Sequence, residues 1–215
     1  SETAYAMGLT ASQFSYNDAN ITATFNVTDG SLTINPITEE VVIDITGKSD
    51  TATYDGQPHS VNGYTVGDHD ATITISGPDQ DAEVATASGI TATTHTMGLS
   101  AEDFTVNTPN YTNVRLNVVP GTMTIGKATM TIGVTGHTDS VTYNGEEQKV
   151  EGYDLSCTDA LYDASKVIFS GEEAKAAGTN ASETAYAMGL TASQFSYNDA
   201  NITATFSVTD GSLTI

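Results

Sequence analysis

The chain has 215 residues, with 6 basic against 27 acidic side chains and a formal net charge of −21. A surface this acidic repels phosphate backbones and anionic head groups, which excludes nucleic acid and lipid surfaces as partners. No apolar run reaches the roughly 20 residues that a helix needs to cross a bilayer, and a single cysteine, Cys157, rules out an internal disulfide and reads as a small packed residue.

Residues 1–34 and 182–215 are the same sequence with one change, Asn26 against Ser207, which marks a tandem-repeat protein. In the first copy, Thr10-Ala-Ser-Gln13 has the form of a capping box and predicts one helical turn that delivers Phe14 to a core. Residues 21–27 alternate apolar and polar, and Asp29-Gly30 predicts a turn that closes a β-hairpin with 31–34. Asn35-Pro36 then breaks the pattern.

Val41, Ile43 and Ile45 predict a strand that stops at Gly47. Residues 51–64 carry Tyr54-Asp55-Gly56 in their middle, and predict a hairpin about a type I′ turn. A further strand is expected over 71–75. Ser100-Ala-Glu-Asp103 repeats the capping box ahead of Phe104, and 114–118 with Pro120-Gly121 repeats the closing hairpin.

The series then starts again after Gly126-Lys127-Ala128. Met130, Ile132 and Val134 lead to Gly136, 140–153 hold Tyr143-Asn144-Gly145, and 166–169 predict a strand. Residues 171–178, rich in alanine, predict a short helix found only in this unit. Thr191-Ala-Ser-Gln194 precedes Phe195, and the alternation from Ile202 to Val208 ends at Asp210-Gly211 in a last hairpin with 213–215.

Residues 41–66 align without gaps on 130–155, and Ile125 and Ile215 close corresponding segments, which sets the period at 90 residues. The organisation expected is the back half of a truncated repeat at 1–34, a complete β repeat at 35–125 and another at 126–215. The buried phase changes from odd positions, Met123 and Ile125, to even ones, Met130 and Ile132, so one strand cannot serve both units with the same face. Short connectors predict an elongated rod of small mainly-β modules, each with one or two short helical turns, and whether each is an immunoglobulin-like sandwich or a β-grasp-like sheet stays open. A half repeat is at best marginally stable alone, so residues 1–34 are expected to pair or swap strands with a partner.

Tyr-Asp-Gly or Tyr-Asn-Gly, Gly63-Tyr64 or Gly152-Tyr153, Met-Gly-Leu with a following Phe, an Asn-Tyr or Asn-Ile segment and a closing Gly-Ser-Leu-Thr-Ile together resemble the MBG or YDG-type repeats of bacterial surface proteins. The resemblance covers essentially the whole chain. It implies a non-enzymatic, extracellular role at a bacterial cell surface or wall, in which a stalk or spacer projects a distal binding region and neighbouring repeats are the first partners. Two alternatives stay open: an adhesive module for host glycan or protein, and an accessory module of a secreted polysaccharide-degrading enzyme. The chain opens at Ser1 without a signal-peptide pattern, so export signals and anchors are expected outside it.

A catalytic or cofactor-binding constellation is absent from the sequence. His59, His69, His95 and His137 do not recur between units, and no His-x-x-x-His, no Cys-His pair at metal spacing and no glycine-rich phosphate loop is present. Calcium is the one metal worth weighing, because Asp68, Asp70, Asp79 and Asp81 crowd neighbouring loops and hard cations take several oxygen ligands from such loops. Against it stands ordinary solvation of an acidic surface. Tyr54, Tyr64, Tyr143 and Tyr153 occupy equivalent places, and an exposed row of them would stack on sugar rings or meet a protein partner.

Overall fold

A computed structural model describes residues 4–215, and they are mainly β. Helical content among them is confined to three-residue 3-10 turns at Ala11–Gln13, Glu83–Ala85, Ala101–Asp103, Ala164–Lys166 and Ala192–Gln194. The strand pairs fall within 5–32, within 37–126 or within 128–214.

The same arrangement is built twice. Val41–Gly47 lies between Val114–Val119, which runs parallel to it, and Tyr64–Val66, which runs antiparallel. Ala128–Gly136 lies likewise between Ile202–Thr209, parallel, and Tyr153–Ser156, antiparallel. A second three-stranded sheet centres on Thr122–Gly126, flanked by Asp50–Thr53 and Thr94–Thr96, and its counterpart centres on Ser212–Thr214, flanked by Thr138–Ser140 and Tyr186–Ala187. The first strand of each unit is thus central and is held by residues about 70 positions further along.

Burial follows the predicted alternation. Ile43 and Ile45 point inward from one strand, and Ala128, Met130, Ile132 and Val134 from the other, with the change of phase falling at Gly126-Lys127 between Thr122–Gly126 and Ala128–Gly136. One core gathers Ile45, Met97, Leu99, Phe104, Met123 and Ile125. The later unit has two adjoining clusters, around Met130, Ile132 and Ile202 and around Val134, Leu190 and Phe195, which share Leu155, Val167 and Phe206 as flanking residues.

Three expectations are corrected. The closing hairpins do not form: Val114–Val119 and Thr122–Gly126, although consecutive, belong to different sheets, as do Ile202–Thr209 and Ser212–Thr214. The glycine between them serves close approach rather than a primed turn, for neither Gly121 nor Gly211 has positive φ. A Cβ on Gly47 would strike the backbone of Gly121, and one on Gly211 would strike the His137 carbonyl and the Gly136 backbone, so each first strand ends where the chain crosses between sheets.

The hairpins about Tyr54-Asp55-Gly56 and Tyr143-Asn144-Gly145 are also absent, because Asp50–Thr53 pairs with Thr122–Gly126 while His59–Asn62 pairs with Thr86–Gly89. Gly56 and Gly145 do need positive φ, +78° and +85°, but Asp55 and Asn144 act through their side chains, each accepting from the amide two residues on at 2.9 Å. Finally, 171–178 is not helical. Lys175–Gly178 is a strand on Gln148–Glu151, and strand pairing with burial of Ala176 overrides the helix propensity of alanine.

Residues 4–34 keep the local features of the repeat and lose the rest. The Thr10/Gln13 capping box, the Asp29 carboxylate on the amides of Gly8 and Leu9, and a two-residue pairing of Tyr5–Ala6 with Ser31–Leu32 are present. No strand forms over 21–28, and Met7, Phe14, Ile21, Leu32 and Ile34 are exposed.

Candidate functional site

The Tyr-x-Gly turn is where the two complete units meet. Asp50–Thr53 runs alongside Thr122–Gly126, and its continuation carries the Tyr54 amide to the Gly126 carbonyl at 2.8 Å, beside the start of the next unit. The half-buried Tyr54 ring touches both cores: that of its own unit and the Ala128, Met130, Ile132, Ile202 cluster of the following one, which Leu161 also flanks. Gly56 faces the Leu161 side chain. Ala92, from the loop after Thr86–Gly89, donates its amide to the Asn201 side-chain carbonyl at 2.8 Å. The joint therefore combines an aromatic anchor, a positive-φ glycine turn beside a leucine and one directional hydrogen bond across 109 residues of sequence.

The other tyrosines take different places. Tyr64 meets Phe104 edge-on with ring centroids 5.1 Å apart and donates its hydroxyl to the Pro78 carbonyl at 2.8 Å. Tyr153 meets Phe195 edge-on at 5.2 Å and lies 5.6 Å from Phe169. These two brace phenylalanines in the cores, whereas Tyr143 is 57% exposed in the later unit. The four equivalent tyrosines do not form one exposed row. Tyr162, which sequence reasoning passed over, packs 6.5 Å from Tyr197 beside the joint, with a shielded hydroxyl that has no hydrogen-bond partner. Burial, with Cys157 nearby, pushes its pKa up.

The acidic side chains proposed for calcium are exposed and spread over successive turns. Asp70 accepts from the Thr72 amide at 2.8 Å and its hydroxyl at 2.6 Å, and these bonds hold its carboxyl below the usual range. Asp79 supplies a backbone carbonyl to Ala82, and Asp68 and Asp81 have exposed side chains. Among the described residues no group of three or more His, Cys, Asp or Glu side chains converges on one point. The histidines fasten turns: His59 to Asp55, His69 to the Gly67 carbonyl, His95 to the Thr91 carbonyl, and His137 to the Glu151 carbonyl with Asp154 at 3.4 Å. The Glu151 carbonyl first, and Asp154 second, raise the His137 pKa.

An open recess of about 330 Å³ lies on the 35–125 unit, lined by Ile34, Asn35, Ile37, Thr72, Asn110 and Tyr111 among others. Its residues correspond to the receiving side of the joint. Ile37 donates its amide to the Asn110 carbonyl as Ala128 does to that of Asn201, and Ile37 bridges Tyr111 in parallel as Ala128 pairs with Ile202. Thr72 sits on Asp70 as Leu161 sits on Asp159, through the same side-chain-to-amide bond. One copy of this face is covered by Tyr54, Gly56 and Ala92, and the other is open.

Compared with known protein families, curated proteins and solved structures, the chain matches none.

Proposed function

We propose that the chain is a run of structural repeats, a stalk or spacer of a secreted or wall-anchored bacterial surface protein that carries a distal binding region away from the cell. The observation that supports this most is the joint, in which the recurring Tyr-x-Gly turn of one unit seats on the next. A motif spent on unit-to-unit contact makes repetition itself the useful property, since each added copy presents the same turn and the same receiving face. The strong acidic excess keeps such a polymer soluble and discourages collapse of one array on another. Within the two fold expectations, a central first strand with a late strand parallel to it favours a β-grasp-like sheet over a sandwich.

Small-angle scattering with and without a calcium chelator tests this reading. A spacer gives an elongated particle of unchanged dimensions in both conditions. A compact particle, or one that lengthens only with calcium, overturns a metal-free spacer and directs attention to the loops bearing Asp68, Asp70, Asp79 and Asp81.

A further inference from the structure

We propose that the 126–215 unit carries a peptide-binding site over Tyr153, and that its ligand is an extended segment of a partner protein of the form Pro-x-Gln with a basic or neutral residue at x. The inference starts from a connection that differs between the two units. In both, the glycine before the tyrosine donates its amide to an alanine carbonyl, Gly63 to Ala85 at 2.9 Å and Gly152 to Ala174 at 2.8 Å, so these alanines are equivalent. The strand leading to each ends at Ser76 in one unit and at Phe169 in the other. Residues 77–84 therefore make the earlier connection, and only 170–173 make the later one.

What the longer connection does is visible at Tyr64. The Pro78 carbonyl accepts from its hydroxyl at 2.8 Å, and the Gln80 side-chain carbonyl accepts from its amide at 2.9 Å. Gly63 permits the second bond, since a Cβ there would strike Gln80 Oε1. A backbone carbonyl, and a carboxamide two residues further on, thus hold one tyrosine by its hydroxyl and its amide.

Tyr153 has the same setting without that loop. His137 donates to the Gly152 carbonyl at 3.0 Å as Lys48 does to that of Gly63 at 2.9 Å, so the Tyr153 amide, like that of Tyr64, is turned away from the strand beside it. Neither this amide nor the Tyr153 hydroxyl takes a hydrogen bond among the described residues. An open recess of about 370 Å³ lies there, lined by Gly152, Tyr153, Phe169, Glu172, Glu173 and Lys175 among others, a size suited to a small ligand or a few residues of peptide. The two rings give it an apolar wall against which a proline packs. Its charge separates the ligand from the internal loop: Lys175 is tied to Glu173 at 2.8 Å and Lys149 to Glu151 at 2.6 Å, whereas Glu172 has no ion pair among the described residues. An aspartate at the place of Asp79 would be repelled by this rim, and a lysine or arginine would be attracted. The site stands whether or not the array serves as a spacer.

Titration of the isotope-labelled full chain with the peptide Ser-Gly-Pro-Lys-Gln-Ala, blocked at both ends and followed by amide NMR, tests the proposal with Tyr64 as an internal control. The Tyr153 amide is expected to move downfield and saturate, while the Tyr64 amide, already bonded to Gln80, stays in place. Leucine for glutamine in the peptide is expected to weaken binding about tenfold, because the tyrosine amide is then covered without an acceptor. Tyr153→Phe, which keeps the ring against Phe195, is expected to weaken it about fivefold, the worth of one hydrogen bond. A chain in which the sequence of 77–84 replaces 170–173 is expected not to respond, since it brings its own Pro-x-Gln. A Tyr153 amide that stays fixed at millimolar peptide overturns the site. Equal binding of the leucine peptide overturns the carboxamide contact. A saturating shift with N-acetylglucosamine and none with the peptide overturns the peptide ligand and assigns the recess to an acetamido group. A change in scattering dimensions bears on the spacer role and leaves these outcomes untouched.

Discussion

Residues 4–34 and 185–215 are a nearly pure experiment in what a sequence can do by itself. In both, a threonine and a glutamine close the same capping box, with the glutamine carbonyl 2.7 Å from the threonine amide, and one aspartate holds the amides of a Gly-Leu pair. The contacts that join positions far apart differ. Leu213 is fully buried and Leu32 is 61% exposed; Phe195 is 6% exposed and Phe14 43%. Capping and turn chemistry are decided within a few residues, whereas burial of an alternating strand requires a second strand, and among the described residues 128–135 supplies one to 202–209 while none pairs with 21–28.

The largest test of that contrast is phenylalanine truncation. Phe195→Ala removes a ring that Tyr153, Phe169 and Phe206 surround, and is expected to destabilise the 126–215 unit by about 3–5 kcal/mol. Phe14→Ala, the same change in the same local sequence, is expected to fall within about 0.5–1 kcal/mol because its ring is already half in water. Urea unfolding of both variants measures the difference. Equal losses would mean that 4–34 is packed in solution as tightly as its twin.

A smaller effect is expected at the joint. Tyr54→Ala withdraws an aromatic side chain that spans two cores and is expected to cost about 1–3 kcal/mol, read as an earlier urea midpoint for the 126–215 unit as well as its own. Tyr143→Ala, at the equivalent but exposed position, is expected to stay within about 0.5 kcal/mol. If Tyr54→Ala shifts only its own unit, the two units unfold independently and the contact across the joint adds nothing to stability.

How far these features were legible follows the same line between local and remote. Alternation located the first strand of each unit and its inward face, and the capping boxes placed Phe104 and Phe195 in cores. The Asp-Gly and Pro-Gly pairs misled, because a glycine required by the close crossing of Gly47 with Gly121, or of Gly136 with Gly211, leaves the same trace in sequence as one required by a hairpin turn. A parallel partner about 74 residues away leaves no local trace at all. The joint was half legible: repetition marked Tyr54 and Tyr143 as equivalent and Asn201 as part of the recurring Asn-Tyr or Asn-Ile segment, but Leu161 stands where the preceding unit has Thr72, and nothing in the repeat tied Ala92 to Asn201. Their common signal was position in the repeat register, which becomes informative only once the strand pairing is known.

The finest difference between the twin segments is electrostatic. Asp199 accepts from the Asn201 amide at 2.8 Å and from the Lys166 ammonium at 2.7 Å, and its side chain is only 9% exposed. Asp18 keeps the first of these bonds, to Asn20 at 2.9 Å, and has no ion pair among the described residues. Lys166 first, and the Asn201 amide second, lower the Asp199 pKa below its ordinary value, and Asp199 in turn raises that of Lys166. A carboxylate with a lowered folded-state pKa contributes stability that is fully present above its unfolded value, near pH 4, and is lost as pH falls through the folded value. For Lys166 the raised pKa places the corresponding loss at alkaline pH, as the ammonium deprotonates. Asp199→Asn is therefore expected to lower the urea midpoint modestly at pH 6 and to converge with the parent as pH falls through the lowered folded-state pKa and the parent carboxylate is itself protonated. Added salt is expected to narrow the gap at pH 6 only in part, since the carboxylate is shielded from solvent. Asp18→Asn, which keeps an Oδ1 acceptor for the Asn20 amide, is expected to leave the urea midpoint at pH 6 within about 0.5 kcal/mol of the parent. A gap for Asp199→Asn that persists undiminished in acid would assign the effect to the amide hydrogen bond and packing rather than to charge.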